Sequence, residues 1–439
     1  MENFESIRDR QELTFTAINY YKEHKEELLD LRLPGLSGIK YLRSAALFGP
    51  NAAGKSTILE SMNMMCKVVQ ESANIRTNKL EEFYHPFLLQ KEYKNKPTTF
   101  FAAFVSEGIR YEYAFSYSDQ RILSERLSAF PKGREQVWYE RKVSADNQLM
   151  LLKDSSYFRF PAALEPLLND DSLLLSLVAN SPKLENASKI MPVYNWFQHG
   201  LEYVDNGPRS ASDLPFSGEI LDGNKGTDIQ RNIIQGIVKE ADVGIQDARV
   251  AVIQINEGSK EIQQLNSSDE ESDEKEVKKR KYKTVMFAHR SDNDVSEFSL
   301  GMESDGTYQL FCLSGHIAQA LENGSTLLVD ELDASLHPIL VKELVRMFLN
   351  PKSNPNNAQL VFTAHNPCLL NDELLRRDQI WFVEKDKSGT TSIYPLSDFK
   401  PRTDEVLISG YLLGRYSATP SIPYCLGQCG KKNGESNGK

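Results

Sequence analysis

Residues 49–56 read Gly49-Pro50-Asn51-Ala52-Ala53-Gly54-Lys55-Ser56, the G-x-x-x-x-G-K-[ST] pattern of a phosphate-binding loop. The run before it, Tyr41-Leu42-Arg43-Ser44-Ala45-Ala46-Leu47-Phe48, reads as a buried strand, and Thr57 to Gln70 carries apolar residues at helical spacing. Strand, glycine-rich turn and helix is the order this loop requires, because backbone N–H groups and the positive end of the helix then converge on one anion. The reading gives Gly49 through Thr57 to the phosphates of a nucleoside triphosphate. Lys55 would reach the β and γ oxygens, and the Ser56 hydroxyl would ligate Mg2+.

The second half of such a site is Thr326-Leu327-Leu328-Val329-Asp330-Glu331, a mostly apolar run ending in two acids. It has the form of a buried strand whose carboxyl end meets a ligand. Asp330 would hold Mg2+, directly or through water, while Glu331 would orient and activate the water that attacks the γ phosphorus in line. An acidic pair at a strand exit is by itself commonplace. Matched to a phosphate loop, it reads as catalytic.

At 439 residues the chain exceeds one ordinary core, so two lobes are expected. Charged residues at 26% and hydrophobic ones at 40% describe a soluble globular protein. No apolar run approaches the roughly 20 residues of a membrane span, and Met1 to Gln11 is too polar for a signal peptide, so no membrane and a cytoplasmic location are expected. Cysteines at 66, 312, 368, 425 and 429 form no disulfide framework, and Cys425 and Cys429 lack neighbours for a zinc site. A net charge of -10 argues against nonspecific coating of nucleic acid. It leaves nucleic-acid contact through a local basic patch open.

Alternation over 99–105, 110–117 and 136–140 predicts an antiparallel meander. Helical spacing then runs from Tyr157 to about Val204, including Ala162 to Leu168 and Leu173 to Val178, and returns over Ile229 to Ala241. Asn206-Gly207-Pro208 opens a loop, and the acids-then-bases run Ser267 to Lys281 reads as a solvated connector. Beyond it, helices 307–323 and 339–349 alternate with strands 325–329, 359–363 and 378–384, which implies a mostly parallel sheet.

Leu332-Asp333-Ala334-Ser335-Leu336-His337-Pro338 follows the two acids, and Phe362-Thr363-Ala364-His365-Asn366-Pro367 comes one strand later. With the acidic strand end, these stretches resemble the head of ABC-type ATPases, including chromosome-maintenance and overcoming-lysogenization relatives. The resemblance implies ATP as the nucleotide, His365 as the switch histidine on the γ phosphate, and Asp333 and Ser335 in a loop that crosses a dimer interface. It also calls for a signature serine and glycine ahead of a helix. The usual Leu-Ser-Gly-Gly-Gln string is absent, and either Ser299 with Gly301 or Ser304 with Gly306 fits the place. A plain helix N-cap by Ser304 or Asp305 is the simpler role for the second pair.

Glu303-Ser304-Asp305-Gly306-Thr307 favours Ser304 and Gly306, because it is similar to the version in a narrower family. That family comprises bacterial ABC-like AAA ATPases of abortive-infection, restriction-linked and other anti-phage operons. Asn3 to Asp9, Leu42 to Ala46, Leu375 to Lys385 and Gly410 to Tyr416 resemble it too, with a start shorter than its members usually have. The expected fold is α/β: an ABC-type P-loop ATPase head with a mostly parallel sheet and an antiparallel β meander, plus an inserted mainly helical lobe. The head would comprise residues 1–118 and 284–424, the insert 119–283, and a disordered tail 425–439.

The resemblance further implies a homodimer or higher homo-oligomer through the heads, a phage-derived trigger, and a separately encoded effector, often a Toprim- or HNH-type nuclease. No HNH string occurs in this chain, and Asp378 with Glu384-Lys385-Asp386 misses the acid-x-lysine spacing of a restriction nuclease. The competing class is a DNA-maintenance ATPase that clamps duplex DNA. A transporter engine fits less well, since more than 240 residues separate Lys55 from Ser304. A nucleotide-binding regulator that barely turns over differs only in rate.

Overall fold

The computed structural model describes residues 1–73, 80–144, 149–154, 157–159, 170–181, 183, 187–204, 214–223, 225–241, 244–256, 262–264, 279–290, 294–370, 373–402 and 404–419. Strands and helices are numbered in chain order. The central sheet contains β1 (Ser44–Phe48), β7 (Leu201–Val204), β12 (Thr326–Val329), β13 (Gln359–Ala364), β14 (Ile380–Lys385) and β15 (Thr391–Pro395), in the order β15-β14-β1-β13-β12-β7. Every pairing is parallel except β14 with β15.

Register decides where a ligand can sit. Ser44 pairs with Leu360 and Phe48 with Ala364, while Val329 pairs with Phe362. The carboxyl ends of β1, β12 and β13 therefore share one edge, the edge at which such sheets bind ligands. Both faces of the sheet are covered, which is why its inner strands β1, β12 and β13 are mostly apolar runs rather than alternating ones. Ala46, Phe48, Val329 and Phe362 pack against α7 (Asp305–Asn323), α8 (Pro338–Leu349) and α9 (Leu407–Leu412). On the other face Ala45, Leu47, Leu328 and Val361 meet Ile58 and Leu59 of α1 (Lys55–Glu71).

The meander is a five-stranded antiparallel sheet of β2 (Thr98–Ser106), β3 (Ile109–Tyr117), β4 (Ile122–Ala129), β5 (Gln136–Val143) and β6 (Leu149–Asp154). It packs against α1, α2 (Leu80–Phe83), α3 (Leu174–Ala179) and α4 (Ala187–His199). A buried carboxylate ties this layer together. Glu125 of β4 accepts hydrogen bonds from Tyr113 and Tyr139 hydroxyls at 2.8 Å, from Arg141 Nε at 2.9 Å, and from the Leu174 and Leu175 N–H groups at 2.8 and 3.1 Å.

A third sheet, ordered β11-β10-β8-β9, comprises β8 (Ile245–Asn256), β9 (Ile262–Gln264), β10 (Lys279–Arg290) and β11 (Val295–Ser299). It packs on α5 (Phe216–Leu221), α6 (Asp228–Ala241) and α7.

The α/β class, the mostly parallel sheet and the antiparallel meander are as the sequence predicts. Residues 119–283 hold helices α3 to α6, but they also continue the meander without a break past residue 118 and supply β7 to the central sheet. Leu201-Glu202-Tyr203-Val204 is too short to declare a period of its own, and what makes it a strand is the open edge of β12. The expected helix at Ala162 to Leu168, the loop at 206–208, most of the connector 267–281 and the tail with Cys425 and Cys429 lie outside the described residues. Among the described residues no helix is long and apolar enough to cross a membrane.

Candidate functional site

The chain leaves β1 at Phe48 and turns at once, and two glycines make the turn fit. A Cβ on Gly49 would stand 2.1 Å from the Val383 carbonyl oxygen of β14, so only hydrogen is accommodated there. Gly54 has φ +101°, a left-handed conformation that suits glycine, and a Cβ on it would lie 2.2 Å from Thr391 Oγ1. That hydroxyl is itself engaged, 2.8 Å from both the Ala53 carbonyl and the Ser6 hydroxyl. Asn51 and Ala52 are exposed, Ala53 and Lys55 are buried, and Gly54, Ser56 and Thr57 are half-buried. Helix α1 has no acid in its first turn, so none of its own carboxylates neutralises its positive end. Thr57 Oγ1 reaches Glu5 Oε2 at 3.3 Å.

Lys55 is folded toward its own loop. Its Nζ donates to the carbonyls of Gly49 at 2.9 Å and Pro50 at 3.1 Å, and lies 3.5 Å from His365 Nδ1. Burial lowers its pKa, and the nearby carboxylates of Asp330, Glu331 and Asp333 pull it part of the way back. The amine is thus a desolvated cation facing three acids. Such a charge is suited to stabilising phosphate oxygens in a shielded place.

The acids arrive from β12 and are held by the end of β13. Thr363 Oγ1 donates to Asp330 Oδ1 at 2.6 Å and accepts from the Glu331 N–H at 2.7 Å, while the Leu332 N–H donates to the Thr363 carbonyl at 3.1 Å. Asp333 Oδ2 in turn accepts from the N–H groups of His365 at 2.9 Å and Asn366 at 2.6 Å. Residues 330–333 and 363–366 are therefore laced into one unit. Glu331 adopts φ 51°, a left-handed conformation that costs about 1–2 kcal/mol outside glycine. The bond to Thr363 helps to hold it. His365 Nε2 lies 3.4 Å from Glu331 Oε1, with both side chains open to solvent.

Ser304, Gly306 and Ser335 form a second group. Ser304 caps α7, accepting from the Thr307 N–H at 3.1 Å, so the N-cap role is realised. A Cβ on Gly306 would lie 2.8 Å from the Ser335 carbonyl oxygen. The 19 residues of α7 span about 28 Å and the four of β12 about 13 Å, which carries Ser304 past the strand end to the loop of Ser335. Both serines are exposed. Of the alternative pair, Ser299 ends β11 and Gly301 sits in the 3-10 turn Leu300–Met302.

Sequence reading assigned no role to Thr363, Thr391, Ser6 or Val383. Thr363 carried the one usable signal, as the single hydroxyl in the buried run Gln359–Ala364. Asp378 is spent structurally, paired with Arg376 at 2.8 Å and accepting the Ile18 N–H at 2.7 Å, which accounts for it without nuclease chemistry.

Residues 44–371 match the family described as "AAA domain, putative AbiEii toxin, Type IV TA system". A comparison with curated proteins gives no match. Similar solved structures include the SMC head domain from Thermotoga maritima, 13% identical with a TM-score of 0.34, covering 90% of this chain and 96% of that one. A Smc head domain with an extended coiled coil, bound to the C-terminal domain of ScpA derived from Pyrococcus furiosus, is 12% identical with a TM-score of 0.34, covering 88% and 98%. The SmcHead bound to the C-winged helix domain of ScpA is 14% identical with a TM-score of 0.32, covering 81% and 91%.

Proposed function

The chain belongs to this AAA-domain family, and on that premise we propose that it is an ATP-hydrolysing switch subunit of a bacterial anti-phage defence system, controlling a separately encoded effector of the nuclease type. One observation carries the hydrolytic part: Lys55, His365 and Glu331 stand in succession, 3.5 Å and 3.4 Å apart, at the shared carboxyl edge of β1, β12 and β13. The loop 49–57 takes the phosphates of ATP on its N–H groups, with Lys55 on the β and γ oxygens. Glu331 orients a water molecule against the γ phosphorus and accepts its proton as the bond to the leaving ADP oxygen breaks. His365 contacts the γ phosphate, beside Glu331.

The donor set suits Mg2+, which prefers hard oxygen ligands: the Ser56 hydroxyl and the Asp330 carboxylate would hold it. When bound, the ion neutralises phosphate charge and polarises the oxygens.

Two heads pair around nucleotide, each presenting Ser304, Gly306 and Ser335 to the other's phosphate loop, and hydrolysis loosens the pair. The exposure of both serines beside Gly306 supports this pairing. A family description that names a putative toxin of a type IV system supports the defence setting, and the separate effector rests on the resemblance drawn from the sequence.

Glu331→Gln tests the hydrolytic core. It should bind ATP as wild type does, lose turnover and accumulate as a dimer in light scattering. Unchanged turnover would remove Glu331 from the chemistry. The effector arm is tested by mixing the protein with the product of the adjacent gene. No complex in any nucleotide state would defeat it.

A further inference from the structure

We propose that Thr363 is a positioning residue that sets how tightly the site holds its divalent cation, an inference that rests on the ATP and Mg2+ reading above. Thr363 is fully buried near the end of β13, with its neighbours Leu360, Val361 and Phe362 all apolar core. A hydroxyl in such surroundings is costly unless bonded. Here it is bonded twice. Its one hydrogen goes to Asp330 Oδ1 at 2.6 Å, and a lone pair receives the Glu331 N–H at 2.7 Å.

These two bonds have different consequences for the chemistry. The first restrains the rotation of the Asp330 carboxylate, the group that would hold the cation. The second fixes the backbone of Glu331 in its left-handed conformation, with φ 51°, and so fixes the direction in which the catalytic carboxylate leaves the strand. One side chain thereby couples the metal ligand to the base. Valine has nearly the same shape and neither bond. Groups that orient a metal ligand from behind typically change metal affinity or activity by about 10–100-fold when lost.

The test uses the full chain and a fluorescent ATP analogue titrated with Mg2+, read alongside ATP turnover. Thr363→Val should raise the Mg2+ concentration for half-maximal nucleotide binding by about tenfold or more, with nucleotide binding in excess chelator unchanged. Thr363→Ser, which keeps the hydroxyl, should return the midpoint to within about twofold of wild type. If the valine variant fails to fold, Thr363→Ala takes its place in the comparison with serine. A wild-type Mg2+ midpoint in the valine or alanine variant, or a serine variant as impaired as valine, overturns the role of Thr363 while leaving the ATPase reading intact. Nucleotide binding by wild type that ignores Mg2+ altogether overturns that reading and this inference with it.

Discussion

The Lys55 ammonium donates to the Gly49 carbonyl at 2.9 Å, so the glycine loop is closed on itself by the side chain proposed to meet ATP. In the proposed complex phosphate oxygens would replace those carbonyl partners around a cation that is already largely desolvated. ATP at a hundred times its dissociation constant should stabilise wild type by about 2.7 kcal/mol, a shift of several degrees. Lys55→Met should abolish that shift. Scanning fluorimetry with and without ATP measures both, and an undiminished shift in the variant would exclude Lys55 from nucleotide contact.

Gly49→Ala places a methyl 2.1 Å from a backbone carbonyl of the neighbouring strand, an atom that cannot turn aside. Either β14 must part from β1 or the loop must distort. Stability should fall by about 1–3 kcal/mol and nucleotide binding should be lost. Denaturant midpoints and ATP titration check the pair of effects, and a variant stable and active as wild type would contradict the close approach.

Asp333 secures the two backbone N–H groups that open the His365 turn. Asp333→Ala should therefore lower kcat by about tenfold to a hundredfold with a smaller change in KM, since the histidine is displaced rather than removed. Asp333→Asn retains an acceptor oxygen and should keep most of the rate. Steady-state kinetics of both variants decide it; equal losses would point to the charge instead.

Glu125 and Arg141 are both buried, with a closest ion-pair contact of 2.8 Å. Glu125→Ala would strand a guanidinium, two phenols and two helix N–H groups, and should cost about 3–5 kcal/mol. Chemical denaturation gives the number. A cost under about 1 kcal/mol would mean that water satisfies the stranded groups.

Burial in α1 pushes the Cys66 thiol up to about 12, from an ordinary value of 9.0. At pH 8.5 an alkylating reagent should modify exposed Cys368 well before Cys66, which should react only after unfolding. The sign for stability follows. Above pH 9 the unfolded thiol ionises while the folded one does not, so stability falls by about 1.4 kcal/mol per pH unit up to about 12. It is fully present below 9. Cys66→Ala should flatten that alkaline slope, and peptide mapping of the label provides the independent check.

The parts of the site legible in the sequence are those in which a strand and its functional turn are contiguous: Gly49 to Thr57, and Asp330 with Glu331. Each declares itself within a dozen residues. Thr363, Thr391 and Val383 act on partners more than 30 residues away, and nothing in their own neighbourhoods reveals the partner. The same holds for the Asp333 carboxylate, whose partners within the chain, the N–H groups of His365 and Asn366, lie one strand later. The long strands β8 and β10 are hidden in the sequence by the acids-then-bases run that separates them and extends into the start of β10. The fold class needed less, because alternating apolar runs and helical spacing suffice to imply a parallel sheet.

Strand β1 has β13 on one side and β14 on the other, so its neighbours are residues 360–364 and 380–382. A ribosome adding about 5–20 residues per second makes those partners roughly 15–60 seconds after β1 itself. During that interval the glycine loop exists as covalent sequence without a sheet to hang from. Competence to bind ATP is therefore acquired late in synthesis, and a chain truncated before residue 360 has no means of acquiring it.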